Sequence, residues 1–132
     1  MDNYNNSNVQ SQVIQHRTEE ISHKKANLDI DEELERYIVD IVFATRDPKA
    51  YGLEEISDYL AFGASPRATI DMFKAVKARA YLRGNDYVTP IDIALTVKDV
   101  LRHRIILSYE AMASDITADQ IIQKVLEKLL VP

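Results

Sequence analysis

Apolar residues along this chain recur mostly at helical spacing, and the sharpest run is Leu34, Tyr37, Ile38, Ile41, Val42 and Thr45. Steps of i, i+3, i+4, i+7, i+8 and i+11 place these side chains on one face of a helix, so they define a buried stripe. Asp29, followed three residues later by Glu32, supplies a capping box as the start signal. Asp47-Pro48 supplies the stop, because the residue before a proline is driven out of the α region. Residues 49–64 carry no such period. They read as a connection with one short helical turn within residues 53–60, after which Phe62-Gly63-Ala64-Ser65-Pro66 resets the chain direction.

Caps announce the remaining helices. Ser65 is suited to the N-cap position and Pro66 to the first helical turn, where a missing N–H is no loss. The helix they open is expected to run from Pro66 to Arg83, where Gly84 can take the left-handed conformation and Asn85-Asp86 can carry the turn. The signal then repeats, with Thr89 as cap, Pro90 as opener and Asp92 at the positive end of the helix dipole. This helical region is expected to reach about Leu107 and to be open to a break near Thr96, a short strand over 104–108 being the alternative for its end. Thr117 with Gln120 precedes Ile121, Ile122, Val125, Leu126, Leu129 and Leu130, which marks a terminal amphipathic helix. Four capped helices without a period-2 strand or an internal repeat predict an all-α fold, a small helical bundle. Between Val13 and Lys25 the large apolar residues are Val13, Ile14 and Ile21, enough for an extra N-terminal linker helix. The first dozen residues are too polar to bury much surface. The expected division is therefore a polar arm and linker helix over 1–27 and a single helical domain over 28–132.

Composition narrows the function. A chain of 132 residues that is 46% hydrophobic can build one modest core. Its formal charge of -5 repels a phosphate backbone, which makes nucleic acid a poor default partner. Cysteine is absent, so no disulfide framework, thiolate nucleophile or zinc-thiolate site can form, and His16, His23 and His103 are scattered. No apolar run approaches the roughly 20 residues of a membrane span, and the opening MDNYNNSNVQSQ lacks the apolar centre of a signal peptide. A cytoplasmic location is the expectation.

Among candidate chemical groups, Arg67 stands out, because it lies in the first turn of a helix. There the unpaired N–H groups and a guanidinium both attract an anion. Ile70, Phe73, Val76 and Ala80 are expected on the buried face of that helix, with Arg67, Asp71, Lys74 and Ala78 on another. The competing reading is a surface pair between Arg67 and Asp71, worth about 0.2–0.5 kcal/mol. Other groups read as structural. Arg102-His103-Arg104 fits a solvated or interface face, and His103 has no second metal ligand at useful spacing. The basic residues Lys74, Lys77, Arg79 and Arg83 fit a solvated face or subunit contact before nucleic acid. Tyr37, Phe43, Phe73, Tyr81 and Tyr87 are expected to pack in the core. Asp29, Asp31, Glu32 and Glu33 offset a helix dipole.

Three segments together, YIVDIVFATRDP, FGASPRATIDMFKAVKARAYLRGNDYVTPIDI and VLRHRIILSYEAMASDIT, resemble the C-terminal lid of MoxR-type AAA+ ATPases over residues 28–132. The resemblance implies that Arg67, the arginine of the GASPR motif, is the sensor 2 residue that reaches the γ-phosphate of ATP, with Gly63, Ala64 and Ser65 as lesser contributors. It also implies ATP with Mg²⁺ bound mainly by an AAA+ core domain, a homo-oligomeric and usually hexameric ring, and chaperone-like remodelling. Partners carrying von Willebrand factor A domains are common in that family; nucleic acid and a membrane span are not implied. No G-x-x-x-x-G-K-[ST] phosphate loop occurs in the sequence, so the chain by itself is expected to lack catalytic activity and to be a fragment beginning in the linker. Two alternatives stand beside the lid: a free-standing helical module that docks another protein, and a helix-turn-helix DNA binder.

Overall fold

In the computed structural model, which describes residues 30–129, the first predicted stripe is buried in full along helix α1 (Glu32–Arg46). Asp31 holds the cap position, and its carbonyl accepts from the Glu35 amide at 2.9 Å while its side chain makes no cap bond. Asp29, the expected cap, lies outside the described residues, as do the expected linker helix over 13–25 and Leu130. Glu32 and Glu33 in the first turn offset the dipole as anticipated, and Glu35 joins them. The helix stops where Asp47-Pro48 requires, and Pro48 opens a 3-10 turn (Pro48–Tyr51) closed by Gly52 at φ 72°.

Helix α2 (Glu54–Ser57) is the short turn foreseen in the connection. Strand β1 (Leu60–Phe62) follows and pairs antiparallel with β2 (Ile106–Leu107), Leu60 facing Leu107 and Phe62 facing Ile106. Strands of three and two residues are too short to show an alternating pattern, so only the second was anticipated, as an alternative. Ser108 extends the link, its amide donating to the Tyr59 carbonyl at 3.0 Å and its hydroxyl to the Asp58 carbonyl at 2.6 Å.

Helix α3 (Arg67–Leu82) and helix α4 (Pro90–Leu101) form an antiparallel pair, followed by the short α5 (Tyr109–Ala113) and the terminal α6 (Ala118–Lys128). Gly84 at φ 79° closes α3 in the left-handed conformation. Thr89 caps α4 as predicted, with Asp92 closing a full capping box beyond the dipole role expected of it, and the box predicted for Thr117 with Gln120 is formed. Helix α4 ends at Leu101, earlier than expected, and is continuous at Thr96, whose hydroxyl donates to the Asp92 carbonyl of its own helix at 2.6 Å. Helix α5, capped by Ser108, was not anticipated.

The core gathers Ile38, Ile41, Met72, Val76, Ile93, Val97, Leu101, Ile121, Ile122 and Val125 between α1, α3, α4 and α6. A fully buried aliphatic side chain contributes about 1.5–3 kcal/mol, so this cluster is the main stabilising term. Two expectations about it are corrected. The buried row of α3 is Ala68, Met72, Val76 and Ala80; Ile70 is 54% exposed and Phe73 only half-buried. Alanines at both ends of that row let neighbouring helices approach closely, and a face assigned by the largest residues misses this. Among the aromatic residues, Tyr37 is buried, but Phe43 is 40% and Tyr87 60% exposed. Phe43 lies off the stripe of α1. Tyr87 sits on extended chain beside Val88, and alternation sends Val88 inward and Tyr87 out.

Candidate functional site

The segment 63–67 is held from outside, by the end of α1. Thr45, counted in the sequence only as a stripe member, is a buried polar residue whose hydroxyl donates to the Val42 carbonyl at 2.7 Å. The same oxygen accepts the Ala64 amide at 3.0 Å, so its donor and an acceptor site are both used. Arg46 Nη1 donates to the Ala64 carbonyl at 3.2 Å, and both backbone polar groups of Ala64 are thereby tied to α1. Gly63 presses against the same place. A methyl group on its Cα would overlap the Thr45 carbonyl, so close backbone approach, not positive φ, demands glycine here.

The start of α3 differs from the expectation by one residue. Pro66, at φ -57° and ψ -26°, occupies the cap position, and no side chain caps the helix. Ser65 contributes its carbonyl, which accepts from Ala68 N at 2.9 Å, and its side chain stays exposed. Arg67 therefore opens the helix, on the surface. Among the described residues no hydrogen bond or ion pair engages it. The surface pair with Asp71 is not formed, because Asp71 pairs with Arg104 at 2.8 Å.

Every other arginine among the described residues is engaged. Arg46 bonds Ala64; Arg79 pairs with Asp99 at 2.9 Å, Arg83 with the fully buried Asp92 at 2.6 Å, Arg102 with Asp119 at 2.8 Å and Arg104 with Asp71. Arg36 has a distant i,i+4 contact with Glu32 at 3.8 Å. The hydrogen bond that Arg102 donates to Asp119 raises the pKa of Arg102 above its ordinary value, fixing a charge already permanent. Two members of the basic row on α3, Arg79 and Arg83, are thus matched by carboxylates, which weakens the field a nucleic acid would meet. His103 is exposed, and among the described residues no group of His, Cys, Asp or Glu side chains could hold a metal ion.

Several apolar side chains are left exposed: Ile70, one turn on from Arg67, is 54% exposed, and the paired strand residues Phe62 and Ile106 are 68% and 56% exposed. Exposed apolar side chains of this kind suit contact with another protein surface. No described helix is long and apolar enough to cross a membrane.

Comparison with known proteins defines the class: a family model described as the AAA lid domain matches residues 54–125, and the chain belongs to that family as the C-terminal lid of a MoxR-type AAA+ ATPase. It is 41% identical over 107 residues to the chaperone MoxR1 of Mycobacterium tuberculosis, covering 81% of this chain and 28% of that protein. The protein YeaC of Bacillus subtilis is 35% identical over 106 residues, covering 80% of this chain and 30% of that one. The crystal structure of a candidate ATPase from Cytophaga hutchinsonii superposes with a TM-score of 0.79 at 44% identity, over 83% of this chain and 33% of that chain. The chain thus spans about a third or less of the length of these relatives.

Sequence reading located Arg67 and its exposure but missed Thr45 and Arg46 as supports of the loop. A hydroxyl at the last position of an otherwise aliphatic stripe was the available signal, since a buried polar group must find a partner.

Proposed function

We propose that this lid senses the nucleotide of an AAA+ ATPase through Arg67, which contacts the γ-phosphate of ATP bound, with Mg²⁺, in the core domain. The observation that carries the reading is a free guanidinium at a helix start, in a domain whose other described arginines all have partners. A guanidinium offers a fixed fork of donors to phosphate oxygens, and such charge-assisted bonds are about twice as strong as neutral ones. The uncapped first turn of α3 adds its partial positive charge in the same place. Gly63, Ala64 and Ser65 shape the approach, Ser65 being the exposed member.

Loss of the γ-phosphate removes the contact, and the lid is then free to rotate against the core as a rigid body, which is the mechanical output. Exposed Ile70, one turn from Arg67, supports a protein surface over this end of α3, either the core of the same subunit or a neighbour in a homo-oligomeric, hexameric ring. Chaperone-like remodelling in the cytoplasm, with von Willebrand factor A domain partners, completes the reading. By itself the chain is a coupling element and not a hydrolase.

The test is Arg67→Ala in the full-length ATPase that carries this lid, with hydrolysis rate and melting temperature measured together. Hydrolysis is expected to fall by about two to three orders of magnitude, the scale of losing one well-placed transition-state donor, while melting barely moves. Equal rates for the two proteins would remove the mechanism.

A further inference from the structure

We propose that Thr45 is the positioning residue for Arg67: its hydroxyl anchors the Ala64 amide and so sets where helix α3 begins and where the guanidinium can reach. Arg67 itself is held by nothing among the described residues, so its reach depends on its backbone. Two residues separate it from Ala64. One of them, Pro66, has φ fixed by its ring, which leaves little slack between anchor and cation. The anchor is also oriented. A hydroxyl has a single proton, and Thr45 gives its own to the Val42 carbonyl at 2.7 Å, so a lone pair is left facing the Ala64 amide at 3.0 Å. Gly63 permits this contact by coming against the Thr45 backbone where any side chain would overlap it, and Arg46 closes the Ala64 carbonyl from the same helix end. The first turn of α3 lacks a side-chain cap of its own, and the chain entering it is fixed by this external clasp.

The inference rests on the role proposed for Arg67 above, and the experiment separates the two. Wild type, Thr45→Val, Thr45→Ser, Arg67→Ala and the double variant Thr45→Val/Arg67→Ala are compared in the full-length ATPase, below the melting temperature of the least stable protein. Misplacement by about 1 Å can lower a rate by about 100-fold, and a partial shift is expected to lower kcat/KM for ATP by about tenfold in Thr45→Val. Thr45→Ser, which keeps the hydroxyl, is expected to restore the rate. The double variant is expected to be no slower than Arg67→Ala alone, because a positioning residue has nothing left to position. Wild-type kinetics for Thr45→Val beside an impaired Arg67→Ala would overturn the positioning role and leave the nucleotide contact standing. Multiplying deficits in the double variant, or a lower melting point with unchanged kinetics, would overturn it too by marking Thr45 as structural only. Wild-type hydrolysis by Arg67→Ala would remove the contact and this inference together.

Discussion

The starts of α3 and α4 lie in the same chain, each has a proline at its entry, as the cap of α3 and the first residue of α4, and they are satisfied in opposite ways. At α4 everything is local. Thr89 accepts from Asp92 N, the Asp92 carboxylate accepts from Thr89 N at 2.9 Å and from the Thr89 hydroxyl at 2.8 Å, and Arg83 adds its charge at 2.6 Å. Both oxygens of that carboxylate are engaged, and Asp92 is fully buried. At α3 no side chain caps the turn, the loop is held by α1, and the cation in the first turn faces outward. A closed start spends its polar groups on stability. An open start keeps them available, and its stability must come from tertiary contacts.

The contrast is most strongly tested at Asp92. Asp92→Ala removes the cap and strands Arg83, and breaking a buried pair costs about 3–5 kcal/mol. Because Arg83 is 43% exposed and can return to water, a loss of about 2–3 kcal/mol is expected in urea unfolding. A change below about 0.5 kcal/mol, the scale of an ordinary surface substitution, would show that the α4 start is not a structural clamp. Gly63→Ala comes next. It forces the loop away from Thr45 and is expected to lower stability by about 1–3 kcal/mol, as overpacking does, while also loosening the Arg67 turn. Retained stability together with an unshifted Ala64 amide resonance would show that the clasp tolerates displacement. Smallest is the effect of Arg67→Ala on folding, expected within about 0.5 kcal/mol because the side chain touches no described partner. A loss as large as that of Asp92→Ala would show the two starts to be alike after all.

How far the molecule was legible follows from the same division. The stripe of α1, the stop at Pro48, the caps at Thr89 and Thr117 and the Gly84 close are encoded by neighbours within four residues or one face of a helix, and each was predicted. The Ser65 cap was not formed: Pro66 takes the cap position, and the Ala64 amide beside it is bonded to Thr45 on another helix. The antiparallel pairing of β1 and β2, the exposure of Ile70 and the pairing of Asp71 with Arg104 rest on partners more than thirty residues away or on helix contacts that no window of sequence contains. The candidate site was half legible. Motif and helix register pointed to Arg67 and its surface position, but not to the residues that hold it there.

The sequence by itself determined where the helices lie, which stretch of chain resembles an ATPase lid, and that a cation opens α3, because propensity, capping and periodicity act over a few residues. Only the tertiary structure decided that this cation is unmatched while its would-be partner is taken, and that a threonine on another helix holds its turn in place. Pairing and close packing are contests between residues distant in the chain, and folding alone brings those competitors together.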